Sequence, residues 1–183
     1  MCIRDSLRLL LEALQHASTC FAPKDIKPQD PELATTLVQR IFGGRLRSRV
    51  TCHSCRHNSD TYDPVMDLSL DVRKGIHSVK QALEAFTAPE ELADKYRCDQ
   101  CHKSVNATKR FSIEQTPMVL TVHLKRFGIF GNKINKPISY AERLQLGRYM
   151  SERTADTDAY RLYAIVHHYG SCLLYTSDAA DER

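Results

Sequence analysis

No apolar run in the 183-residue chain approaches the roughly 20 residues that a membrane-spanning helix requires, so no membrane partner is expected. A lysine or arginine block is missing as well. The 26 basic residues face 22 acidic ones, and the net charge of +4 is spread along the chain, so nucleic acid is not expected as a partner. Strands and helices do not alternate with the regularity that builds a parallel sheet, and no internal repeat is visible beyond paired cysteines. With 42% hydrophobic residues, the composition fits one globular domain or part of a larger one, of α+β class.

Both ends read differently from the middle. The reverse complement of one codon choice for Met1–Ser6 encodes Cys-Leu-Leu-Tyr-Thr, which is the run Cys172–Thr176. One adaptor read in two orientations accounts for both, so residues 1–6 and 171–183 are expected to be adaptor-derived, with the folded piece running over 7–170.

Within that piece Leu7, Leu10, Leu11 and Leu14 recur at helical spacing, and Pro23, Pro28 and Pro31 then mark a surface loop. Thr36 to Phe42 reads as a short helix stopped at Gly43-Gly44, where freedom at positive φ suits a helix end. From Arg45 the period changes to two: Leu46, Ser48 and Val50, then Leu68, Leu70 and Val72, alternate with polar residues as half-buried strands. Ser78-Val79-Lys80-Gln81 has the form of a capping box that opens a helix burying Val79, Leu83 and Phe86 and ending near Pro89. Leu120, Val122 and Leu124 predict a central buried strand. Leu162, Ala164 and Val166 predict a further strand. The apolar faces around Leu7 and Leu162 are left without evident partners.

Of seven cysteines, Cys52, Cys55, Cys98 and Cys101 fall in two C-x-x-C pairs. Each pair offers two thiolates on one tight turn, and two such knuckles complete a tetrahedral site with no open position, so one structural zinc ion is expected. Reduced thiolates also imply the nucleus or cytoplasm rather than a secreted disulfide framework. The 42 residues between Cys55 and Cys98 exceed the roughly 15–20 of a compact ribbon, so something sizeable is inserted between the knuckles. His53, His57 and His102 stand beside the pairs, but with four thiolates at hand they are read as solvent-facing.

Ser48-Arg49-Val50-Thr51-Cys52-His53-Ser54-Cys55 and Asp63 to Leu70, followed by Tyr96 to Cys101, Ala107 to Phe111, Val119 to Phe127 and Tyr160 to Gly170, resemble in content and order the finger and palm segments of ubiquitin-specific proteases, closest to a nuclear and nucleolar branch. The resemblance implies part of a papain-like catalytic domain whose zinc-bearing fingers grip ubiquitin. It implies ubiquitin and ubiquitinated proteins as partners, and a cysteine nucleophile with a histidine base in the parent. Thr19-Cys20-Phe21 imitates the family's nucleophile box, but Ser18 replaces its asparagine and Pro23 follows where a helix should begin. His168 matches a strand-end histidine that precedes the family's catalytic one. No catalytic residue is therefore assigned: the nucleophile is expected before Leu7 and the base after Gly170. A zinc-ribbon module binding nucleic acid or protein, and a fragment of a catalytically dead relative, are the alternatives.

Overall fold

The computed structural model describes residues 3–18, 36–73, 75–126, 133–152 and 159–167. Helix α1 (Ile3–Ser18) is followed by α2 (Leu37–Phe42), whose N-cap Thr36 accepts from the Gln39 amide at 3.2 Å. Leu11 is buried at 5% exposure, whereas Leu9, Leu10 and Leu14 on the same helix are exposed. Glycine stops α2 for a reason other than the expected positive φ. Gly43 has φ −73°, and a Cβ there would sit 2.2 Å from the Gln39 carbonyl oxygen, so close approach is what demands glycine.

The central sheet is four-stranded and antiparallel throughout. Strand β1 (Gly44–Cys52) pairs on one side with β2 (Asn58–Val65), from Gly44↔Val65 to Thr51↔Asn58. On its other side it pairs with β7 (Ala107–Gln115), ending at Cys52↔Ala107. The two-residue β4 (Glu90–Glu91) lies along the outer side of β7. Across β1 and β2, Arg49 and Asp60 are direct partners and form a two-bonded ion pair at 2.7 and 2.6 Å. That geometry suits a guanidinium fork on a carboxylate.

Between the sheet strands the chain makes β3 (Leu68–Asp71) and α3 (Val79–Phe86). The Ser78 hydroxyl accepts from the Gln81 amide, as a capping box requires, while the Gln81 carboxamide accepts from His77 N–H, one residue upstream of the expected donor. Strand β3 pairs in parallel with β8 (Val122–Lys125), Ser69 opposite His123. Here the sequence expectation needs correction. Leu120 lies outside the strand, and Val122 and Leu124 are half-buried, because among the described residues β8 has β3 as its only ladder partner. All three still pack against the core.

The segment predicted as a strand at Leu162–Val166 is also displaced. The ladder there is β10 (Ala159–Arg161) with β9 (Arg143–Gln145), and its last bond is Leu162 N–H to the Glu142 carbonyl. Leu162, Tyr163, Ile165 and Val166 are exposed, and beyond that bond no sheet pairing is made among the described residues, so alternation without a partner did not yield a strand. No described helix is long and apolar enough to cross a membrane.

The core joins the base of the central sheet to these elements: Leu46 and Ile113 meet Leu68, Leu70, Ala82, Leu83, Leu146 and Tyr149. Leu70, Leu83 and Leu146 have no exposed surface at all. Further along β7, Phe111 stacks on Phe86 of α3 with ring centroids 5.5 Å apart, extending the apolar contact toward the far end of the sheet. Arg126 closes the chain after β8 by donating to the carbonyls of Ile134 and Lys136 at 3.2 and 2.8 Å. The Gly128–Gly131 stretch lies outside the described residues.

Candidate metal centre

Strand β1 ends at Cys52, and the chain turns through His53, Ser54 and Cys55 before returning as β2. The second pair occupies the turn between β5 (Tyr96–Arg97) and β6 (Ser104–Val105). The two turns share one construction. In the first, Arg56 N–H bonds to the Cys52 carbonyl at 2.9 Å and Cys52 N–H to His57 at 2.9 Å; in the second, His102 N–H bonds to Cys98 at 2.8 Å and Cys98 N–H to Lys103 at 3.1 Å. In both, the residue after the second cysteine is left-handed: Arg56 at φ 58° and His102 at φ 55°. Non-glycine side chains rarely sit there, so each turn holds some backbone strain. The cysteine spacing gave no hint of these two positions. Only the recurrence of a turn with a non-glycine fifth residue could have drawn attention to them.

The turns face each other. One sulfur atom from each of Cys52, Cys55, Cys98 and Cys101 lies within 4.8 Å of all the others. The Cys55–Cys98 and Cys52–Cys101 sulfurs are 3.6 and 4.0 Å apart, which brackets the separation of about 3.8 Å implied by tetrahedral Zn–S bonds of about 2.3 Å. Cys52 and Cys98 are fully buried, Cys101 half-buried and Cys55 exposed.

Protonation follows from crowding. The backbone N–H of Cys55, aimed at the neighbouring sulfur, holds the Cys52 thiol down at about 7, against the opposing effect of desolvation. Cys55 goes the other way. The His57 N–H draws its thiol down, yet desolvation and the sulfurs of Cys52, Cys98 and Cys101 push it up to about 12. Four sulfurs at this range cannot all carry charge together unless a cation shares the site, and a divalent ion that favours four thiolates meets that need. The donor set and its geometry fit one zinc ion. With every tetrahedral position filled by sulfur, such a site is structural rather than catalytic.

None of the neighbouring histidines belongs to the cluster. His57 and His102 are exposed. His53 bonds through Nε2 to the Thr108 hydroxyl at 2.6 Å, and that hydroxyl donates to Glu91 of β4 at 2.9 Å. Cys20 and His168, the residues that imitate catalytic ones, lie outside the described residues, and His167 is exposed.

A four-thiolate centre at the tip of an antiparallel sheet, with a packed α+β body at its base, defines a zinc-fingered domain. A family profile described as ubiquitin carboxyl-terminal hydrolase matches residues 4–177, and the chain belongs to that family, within its ubiquitin-specific proteases. Human ubiquitin carboxyl-terminal hydrolase 42 is 48% identical over 140 residues, which cover 75% of this chain and 10% of the relative. Ubiquitin carboxyl-terminal hydrolase 36 of Drosophila melanogaster is 40% identical over 179 residues, covering 93% of the chain and 17% of the relative. Among solved structures, Ubp8 in a SAGA DUB module with Sgf11, Sus1 and Sgf73 superposes with a TM-score of 0.78 at 26% identity, over 93% of this chain and 40% of that one. The same module bound to ubiquitin aldehyde gives 0.72 at 26% identity, over 90% and 38%. The chain thus spans between 10 and 25% of the length of the curated relatives it matches.

Proposed function

We propose that this chain forms the zinc-held fingers and adjoining palm strands of a cysteine deubiquitinase, which removes ubiquitin from proteins by hydrolysis after ubiquitin's C-terminal glycine. The observation that carries the reading is the closed cluster of Cys52, Cys55, Cys98 and Cys101 at the tip of a four-stranded sheet, in a chain of this family. These four residues are the zinc ligands. Their role is mechanical: coordination fixes two turns that are 42 residues apart in sequence, and so fixes the far end of the four-stranded sheet. The likeness to a module bound to ubiquitin aldehyde supports ubiquitin as that protein. Thiols kept reduced for zinc support a nuclear or cytoplasmic location.

The described residues contribute grip rather than chemistry. Acyl transfer needs a thiolate, a base within hydrogen-bond reach and oxyanion donors converging on one point. Every described cysteine belongs to the metal cluster, where a coordinated thiolate has its electron pair committed. Titration of isotope-labelled ubiquitin with the zinc-loaded chain should perturb one contiguous ubiquitin surface, and a ubiquitin C-terminal fluorogenic substrate should not be turned over. Turnover abolished by Cys20→Ala would contradict the assignment of roles. Salt-sensitive binding to single-stranded nucleic acid with no effect on ubiquitin would favour a zinc-ribbon interaction module instead.

A further inference from the structure

The two knuckles share a hydrogen-bond plan but not a foundation. Cys52 is the last residue of a nine-residue strand paired on both sides, and its own partner across the sheet is Ala107, which has no exposed surface. The turn it opens is tied down again. His53 N–H donates to the Asn106 carbonyl at 3.1 Å, the His53 ring bonds Thr108, and Thr51 donates through its hydroxyl to Asn58 at 2.8 Å. Cys98 and Cys101 instead ride on a hairpin whose strands have two residues each, Tyr96↔Val105 and Arg97↔Ser104, and which among the described residues joins no larger sheet. Arg97 and Ser104 are exposed. An isolated hairpin of that length does not hold itself together in water, whereas the first turn is an extension of a sheet anchored in the core.

We infer that the zinc site is built in a fixed order: Cys52 and Cys55 are a half-site presented by the sheet before metal arrives, and the Cys98–Cys101 hairpin folds onto the ion second and leaves it first. This rests on the zinc reading above and adds to it a direction of assembly and release. The ordering follows from where conformational entropy must be removed. The first pair is fixed mainly by the ladder of β1 whether or not metal is present, while before coordination the second pair has its own turn hydrogen bonds and the Lys95–Asn106 bond but no long ladder.

Cobalt(II) titrated into the full chain tests this through its thiolate charge-transfer and d–d absorption. Wild-type protein should give the spectrum of a four-sulfur tetrahedral site, and its absence would sink the zinc reading itself. With that spectrum in hand, Cys98→Ser/Cys101→Ser should still bind cobalt through two sulfurs, with a dissociation constant about tenfold or more below that of Cys52→Ser/Cys55→Ser, because only the latter must order its hairpin around the ion. Equal affinities, or the reverse order, would overturn the assembly order and leave the zinc reading standing. Should either variant fail to fold, hydrogen exchange on wild-type protein stripped with a chelator answers the same question. The amides of Cys98 and His102 should lose about 100-fold or more in protection, while those of Cys52 and Arg56 change by less than about tenfold. Equal loss at both knuckles contradicts the proposal.

Discussion

At Leu46, β1 is gripped by side chains; at Cys52, six residues and roughly 20 Å further along the same strand, it is gripped by sulfur. The base of the sheet is closed by Leu68, Leu70, Leu83, Ile113 and Leu146, which exclude water from a shared apolar volume. At the tip the residues without exposed surface are Cys52, Cys98 and Ala107, too small to supply such a volume. A narrow projection has too much surface for its size to be held by burial, so coordination takes over where packing runs out. The two ends should therefore fail separately, and they should fail in different ways.

The largest effect belongs to the base. Leu83→Ala empties a site with no exposed surface, and chemical denaturation should register a loss of about 2–5 kcal/mol in the whole transition, tip included. Cys98→Ser should behave oppositely. Zinc affinity should fall by more than about 100-fold and the amides of β5 and β6 should exchange freely, while those of Leu70 and Leu83 stay protected, as hydrogen exchange would show. If Cys98→Ser melted the core as well, the separation between base and tip would be lost.

Midway between the ends, the Arg49–Asp60 pair should contribute about 0.2–1 kcal/mol. Its hydrogen bond to Arg49 holds the Asp60 carboxyl below the usual range. That stability is present above the unfolded value of about 3.9 and disappears as pH falls through the lower folded value. Asp60→Asn should therefore differ from wild type near neutral pH and converge with it in acid, measured as paired denaturation curves so that acid release of zinc is common to both. A gap that persisted undiminished at pH 2 would exclude the ion pair as its cause. The smallest effect is expected at Arg56, whose φ of 58° suits glycine: Arg56→Gly should be neutral or stabilise the metal-loaded protein by a few tenths of a kcal/mol, because relief of strain is partly offset by a freer unfolded chain.

Much of this was legible in the residues. The two C-x-x-C pairs, the capped helix at Ser78, the strand at Leu68–Leu70 and the stop after Phe42 are local signals, each complete within a few positions. What was not legible depends on partners. Strand β7 runs nine residues beside β1, yet its periodicity is broken: Ser112 and Ile113 are both buried in succession, and the register with β1 shifts between Arg45 and Leu46. Strand β2 carries mostly polar residues and Pro64, as an edge strand can, and so lacks an apolar stripe altogether. The runs at Leu120–Leu124 and Leu162–Val166 show the reverse, since alternation predicted strands over spans where the described ladders cover only Val122–Lys125 and Ala159–Arg161.

The chemistry at the tip is open to a direct measurement. Zinc K-edge absorption on purified protein, with metal stoichiometry measured in the same sample, should give one zinc per chain and a first shell of four sulfurs at about 2.3 Å. Zinc well below one equivalent, or a shell in which nitrogen from His53, His57 or His102 replaces a sulfur, would contradict it.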